Sequence, residues 1–235
     1  MSDIAGNLAE VRRRITAACA RARRDPAGVE LIAVSKTFPA AAVREAAATG
    51  QRQFGESKLQ EAEPKIELVA GGLRWHFIGR VQRNKVRRIL PLFEVIHAID
   101  STALAGYVNE VARELGLFPK VLLQVNVAGE ASKGGFEPAD LRVEILGLLA
   151  LDRLEVMGVM CIPPPGPAPE SARPWFVALR ELRDELARVT GVPLPWLSMG
   201  MSGDYEVAIE EGATHVRVGS AIFGDRSYRV DGELG

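Results

Sequence analysis

Between residues 30 and 223, short apolar runs alternate with helix-patterned segments, and few folds accept that rhythm. Strand-like runs cover residues 30–35, 52–55, 73–78, 94–99, 120–127, 154–161, 196–199 and 214–218. Helical segments fall between and after them, at 40–49, 57–69, 84–90, 102–115, 138–150, 175–189, 204–211 and 220–223. Strict alternation predicts a parallel sheet with helices outside it. Eight units predict closure into a (β/α)8 TIM-type barrel, and 235 residues suit one such barrel as well as two average domains.

An extra helix precedes the barrel, at about residues 3–24. Ile4, Leu8, Val11 and Ile15 form its apolar stripe, with Ser2 as candidate cap and Asp25-Pro26 as stop. Arg12, Arg13 and Arg14 read as a solvated face of that helix. The barrel is expected over about residues 29–226. Residues 162–174 hold six prolines and read as an irregular surface loop. That loop is short and lies inside the rhythm, so one domain over residues 1–235 is expected.

Apolar content of 47% supports a full core, and a net charge of −1 implies no general attraction to nucleic acid or anionic membrane. There is no run of about 18 apolar residues and no apolar signal core at the start. Cys19 and Cys161 have neither disulfide-framework nor metal-ligand spacing. A reducing, cytoplasmic setting is expected.

A barrel of this kind carries its active site at the C-terminal ends of the strands. Lys36 stands at the end of the first strand, in Leu31-Ile-Ala-Val-Ser-Lys-Thr-Phe-Pro39. Alone, it is either a solvated exit residue or an amine held in a pocket. The last two strand-to-helix turns, Ser198-Met-Gly-Met-Ser-Gly-Asp204 and Val216-Arg-Val-Gly-Ser-Ala221, favour the pocket. Their glycines let backbone approach an anion, their helices aim N–H groups at it, and Ser202 and Ser220 add hydroxyls. Two serine-capped turns with no ligand are the plainer alternative. Strand alternation separates Arg217 from Val216 and Val218, so Arg217 points into the barrel mouth if the valines face the helices. There it meets either a ligand or a structural carboxylate.

His76, in an apolar strand, reads by itself as a satisfied core histidine. The histidines and cysteines show no ligand spacing, and no metal is expected. No G-x-G-x-x-G follows an early strand, and no nucleophile elbow is present. The loop at 129–136, with Lys133, is either a lid over the mouth or a plain solvated loop.

Motifs now accumulate in order: Ala33-Val-Ser-Lys-Thr37, Gln53-Phe-Gly-Glu56, Trp75-His-Phe-Ile-Gly79 with Gln82 and Asn84-Lys85, Ser132-Lys133, Met157-Gly-Val-Met160, Gly200-Met-Ser202, and Val216-Arg-Val-Gly219 with Ala221-Ile-Phe-Gly224. Together they resemble the pyridoxal phosphate homeostasis protein family, itself similar to the barrel domain of bacterial alanine racemases. The resemblance implies a cofactor, pyridoxal 5′-phosphate (PLP), held as a Schiff base on Lys36. Ser202, Gly219 and Ser220 would hold its phosphate, and Arg217 would face its pyridine nitrogen. Ser57, His76 and Met201 complete the expected cofactor-binding set. Ser57 stands where the family usually has Asn.

The implied role is PLP (vitamin B6) and amino-acid homeostasis, without catalysis, by a cytoplasmic monomer whose partners are small molecules. An amino-acid racemase of low activity is the alternative, and a Schiff-base aldolase on a sugar phosphate is a further one.

Overall fold

The computed structural model describes residues 3–69, 71–130 and 134–224. Eight parallel strands close into a barrel in sequence order, with β1 pairing to β2 on one side and to β8 on the other. They are β1 (Glu30–Val34), β2 (Gln53–Glu56), β3 (Arg74–Phe77), β4 (Val95–Ile99), β5 (Lys120–Gln124), β6 (Glu155–Met160), β7 (Trp196–Ser198) and β8 (His215–Val218). Helices α1 (Ile4–Arg21), α2 (Ala40–Ala48), α3 (Leu59–Leu68), α4 (Val86–Ile89), α5 (Thr102–Leu115), α6 (Pro138–Leu149), α7 (Arg173–Thr190), α8 (Tyr205–Glu210) and α9 (Ser220–Phe223) surround it.

The period-2 pattern of each strand divides two environments. Leu31, Ala33, Phe54, Val121, Leu123, Val159, Leu197, Val216 and Val218 face outward into one large apolar core shared with the helices. Helix α7 shows the matching pattern, burying Phe176, Leu179, Leu182 and Leu186 at spacings of three and four. The barrel interior is more mixed. A small apolar cluster of Ala98, Leu122 and Met160 shares it with buried His76, His97, Ser198, His215 and Arg217. An irregularity in the β4–β5 pairing, between Ile96 and Ile99, accompanies the inward placement of both His97 and Ala98.

Several element ends differ from the sequence expectation, each for a local reason. The first helix is capped by Asp3, whose carboxylate accepts from the Gly6 N–H; Ser2, the expected cap, lies outside the described residues. It stops at Arg21, short of Asp25-Pro26, and the chain turns at Arg23 with φ +54°. Helix α3 starts at Leu59, not at residue 57, so Ser57 and Lys58 stay in the loop. Strand β5 ends at Gln124, and Val125 instead bridges to Phe136. The Pro-rich stretch contains a 3₁₀ turn, Pro169–Ala172, and its Pro174 sits in the first turn of α7, where a missing N–H costs nothing.

Helix α1 packs across α8 and α9, the two helices that follow the Gly-rich turns. Its Leu8 is fully buried in the core. Asn7 donates to the Ile222 carbonyl, and Arg14 pairs with Glu206. Arg24, just past its end, donates to the carbonyls of Ile209 and Ala213. Among the described residues, no helix is long and apolar enough to cross a membrane.

Candidate functional site

Strand β1 delivers Lys36 to the barrel mouth through a strained turn. Thr37 adopts φ +71°, unusual for a β-branched residue, and its N–H donates to Glu61 Oε2 at 3.0 Å. Beneath the turn lies a buried ionic cluster. Lys65 Nζ donates to the Ser35 carbonyl at 2.8 Å and to Glu56 Oε1 at 2.7 Å, and the Ser35 hydroxyl donates to the same oxygen at 2.7 Å. Glu56 is fully buried, and burial pushes its carboxyl above the ordinary value against the pull of Lys65. This cluster braces the residue preceding Lys36.

Lys36 opens onto a cavity of about 290 Å³, lined also by Ser57, Ile162, Met201, Ser202, Arg217, Gly219 and Ser220. Seven of the eight residues expected at the cofactor therefore line one cavity. His76 does not. Its Nδ1 lies 2.9 Å from His97 Nε2 and its Nε2 lies 2.6 Å from Gln53 Oε1, inside the barrel below the cavity. Burial lowers its pKa to about 3, so it is a neutral interior histidine. Of the residues expected at the cofactor, His76 alone is not brought to the cavity, and both of its ring nitrogens face protein partners.

The two Gly-rich turns meet at the cavity. Gly200 has φ +90°, and a Cβ there would lie 2.6 Å from that of Ala208 and 2.9 Å from Tyr205 Cα, so only glycine fits. Ser202 Oγ accepts from the N–H groups of Gly219 (3.1 Å) and Ala221 (3.3 Å). The hydroxyl thus occupies the acceptor position that an anionic oxygen would take in this cradle, and its own hydrogen remains available to donate. Asp204 shapes the same turn by accepting from the Met201 N–H at 2.6 Å. On the other side, a Cβ on Gly79 would lie 2.1 Å from the Ser57 carbonyl oxygen, so Gly79 permits the close approach that keeps Ser57 at the cavity wall.

Arg217 is buried at 5% exposure and lines the cavity floor. It donates to Ser198 Oγ at 2.5 Å and to the Cys161 carbonyl at 2.9 Å. Burial lowers its pKa, but an arginine remains a cation that only donates. Among the described residues lining the cavity there is no carboxylate.

Other strand-end residues stay out of the site. Asn126 holds its own loop, accepting from the Glu130 N–H and donating to Glu137 Oε1. Lys133 lies outside the described residues. Sequence reading noted Glu56 only as part of a motif and missed Lys65, its buried partner. Lys65 falls on the buried face of α3 with Leu59 and Ala62, a three-residue spacing that could have exposed it.

Residues 6–227 match the model of the alanine racemase N-terminal domain. A Pseudomonas aeruginosa pyridoxal phosphate homeostasis protein is 50% identical over 97% of this chain and 98% of the relative. One from Aquifex aeolicus is 46% identical over 94% and 97%. The structure of PipY from Synechococcus elongatus with PLP bound superposes with a TM-score of 0.83, at 40% identity, covering 94% of this chain and all of that one. An alanine racemase from Clostridium difficile shares the fold, with a TM-score of 0.71 at 14% identity over 59% of its own length. By full-length identity to these relatives and by its barrel, the chain belongs to the pyridoxal phosphate homeostasis protein family, within the alanine racemase N-terminal domain fold.

Proposed function

We propose that the cavity holds PLP and that the protein serves PLP homeostasis as a carrier of the cofactor, without being an efficient catalyst. One observation carries this: an amine, a hydroxyl-and-backbone anion cradle and a buried arginine line a single cavity of about 290 Å³. PLP supplies an aldehyde carbon that an amine can condense with, losing water. Lys36 supplies that amine. Ser202, Ser220 and the Gly219 backbone receive the phosphate, Ser202 donating the hydrogen that its oxygen keeps while it accepts from the Gly219 and Ala221 N–H groups. Arg217 donates to the ring nitrogen, and a cation there holds that nitrogen as the neutral base, which makes the ring a weak electron sink. One chain contributes all of these groups, so a monomer suffices. Cys19 and Cys161 are buried and form no disulfide among the described residues, which suits a reducing, cytoplasmic setting.

Racemisation needs two acid/base groups, one on each face of the substrate. Lys36 supplies one. Tyr205 is buried at 1% exposure under the Arg14 guanidinium, which lies 5.3 Å from its ring, so it faces α1 and not the cavity. Tyr107 packs outside, under Arg83. Tyr228 lies outside the described residues. Exchange with free amino acids is therefore expected to be slow and without turnover. Borohydride reduction of the purified, PLP-loaded protein, followed by peptide mapping, should place a pyridoxyl group on Lys36. Label on Lys58, Lys65 or Lys85 instead, or no uptake of PLP, would refute the assignment.

A further inference from the structure

A file of polar side chains crosses the barrel interior from the cavity floor to the opposite rim. Arg217 Nη1 lies 2.5 Å from Ser198 Oγ, and Ser198 Oγ lies 2.9 Å from His97 Nδ1. His97 Nε2 lies 2.9 Å from His76 Nδ1, and His76 Nε2 lies 2.6 Å from Gln53 Oε1. Gln53 Nε2 then lies 2.9 Å from Glu30 Oε2, at the N-terminal end of β1. Interiors of such barrels are ordinarily filled with Val, Ile and Leu, and burying this many polar groups is costly. Packing alone does not call for it.

The two ends set the direction of every hydrogen bond in the file. Arg217 can only donate, so Ser198 Oγ accepts from it. The Glu30 carboxylate can only accept, so the amide nitrogen of Gln53 faces Glu30 and its oxygen faces His76. That oxygen accepts, so His76 carries its hydrogen on Nε2. A neutral imidazole has one N–H, and burial keeps both histidines neutral, so His76 Nδ1 is an acceptor. His97 must then carry its hydrogen on Nε2, and its bare Nδ1 accepts from the Ser198 hydroxyl. Each donor points away from Arg217 and towards Glu30, so each lone pair faces the buried cation, and aligned bonds of this kind polarise one another. The arrangement compensates a guanidinium for which the described residues provide no directly bonded carboxylate.

We propose that Ser198, His97, His76, Gln53 and Glu30 form a one-directional hydrogen-bonded column that positions Arg217 and sets its strength as a donor to the ligand's ring nitrogen. They are positioning residues, since of the column only Arg217 lines the cavity. Two of the five guanidinium N–H groups are committed, to Ser198 and to the Cys161 carbonyl, which fixes the plane in which the others meet a ligand. The inference rests on the reading that the cavity takes PLP.

Two measurements test it. Long-range ¹H–¹⁵N correlation spectra of the ligand-free protein should show both His76 and His97 protonated at Nε2 and bare at Nδ1. Gln53→Met then breaks the column without touching a cavity-lining residue. Its Kd for PLP should rise about three- to tenfold, the worth of one hydrogen bond, and the absorbance maximum of bound cofactor should shift. Glu94→Gln removes a carboxylate from the same rim outside the column and should leave both readouts unchanged. Should Gln53→Met fail to fold, Glu30→Gln, at a half-exposed position, should weaken PLP about twofold and shift the same maximum. Protonation of His97 at Nδ1, or variants with the wild-type Kd and maximum, overturns the column alone. A wild type that takes up no PLP overturns the functional reading and with it the purpose assigned to the column.

Discussion

Ser202 and Ser220 look equivalent as hydroxyls, yet their surroundings differ. Ser202 Oγ already gathers the Gly219 and Ala221 N–H groups, so removing it both deletes a donor and loosens the cradle. Ser202→Ala and Ser220→Ala should each weaken PLP by about 1–3 kcal/mol, with Ser202→Ala the larger, in a fluorescence titration. Equal, unchanged affinities in both variants would remove the phosphate from these turns. The Glu56–Lys65 pair behind Lys36 makes a separate prediction. Glu56 is fully buried and Lys65 is 7% exposed. Lys65→Met leaves the Glu56 charge without its partner and should cost about 3–5 kcal/mol in urea unfolding, whereas the Lys65→Met, Glu56→Met double variant should recover much of the loss.

At the scale of elements, α1 is the outer brace of the two turns that form the cradle. It packs on α8 and α9 through a buried stripe that includes Leu8, and it is tied to them by Asn7 and Arg14. Leu8→Ala should destabilise the protein by about 2–5 kcal/mol, the range for a buried leucine. It should also raise the Kd for PLP, because α8 and α9 follow the cradle directly. Normal affinity in a clearly destabilised Leu8→Ala protein would separate the brace from the site. The short 57–58 loop shows the same dependence of chemistry on an element's end. Had α3 begun at residue 57, Ser57 would sit in a helical turn instead of at the cavity wall.

Over the whole molecule, the interior histidines predict a pH dependence. Burial lowers His76 to about 3 and His215 to about 4, against about 6.5 in an unfolded chain. The unfolded state therefore binds protons first as pH falls. Stability is fully present above about 6.5 and is lost as pH falls towards the folded values, at up to about 1.4 kcal/mol per pH unit for each histidine. Urea midpoints should drop between pH 6.5 and 5, and a flat profile there would contradict buried, neutral histidines. Most of the architecture was legible in the chain, because eight alternating patterns leave a parallel barrel with few competitors and because strand ends of such barrels carry the chemistry. Lys36, the cradle residues and Arg217 could be read for the same reason: each sits at a fixed offset from a strand end. The roles of His76, His97, Gln53, Glu56 and Lys65 were decided only by tertiary structure. Whether a buried polar group meets a ligand or another side chain depends on which strands are neighbours across the barrel and on their register. Those distances join residues up to 101 apart in sequence, as between His97 and Ser198, and no local pattern encodes them.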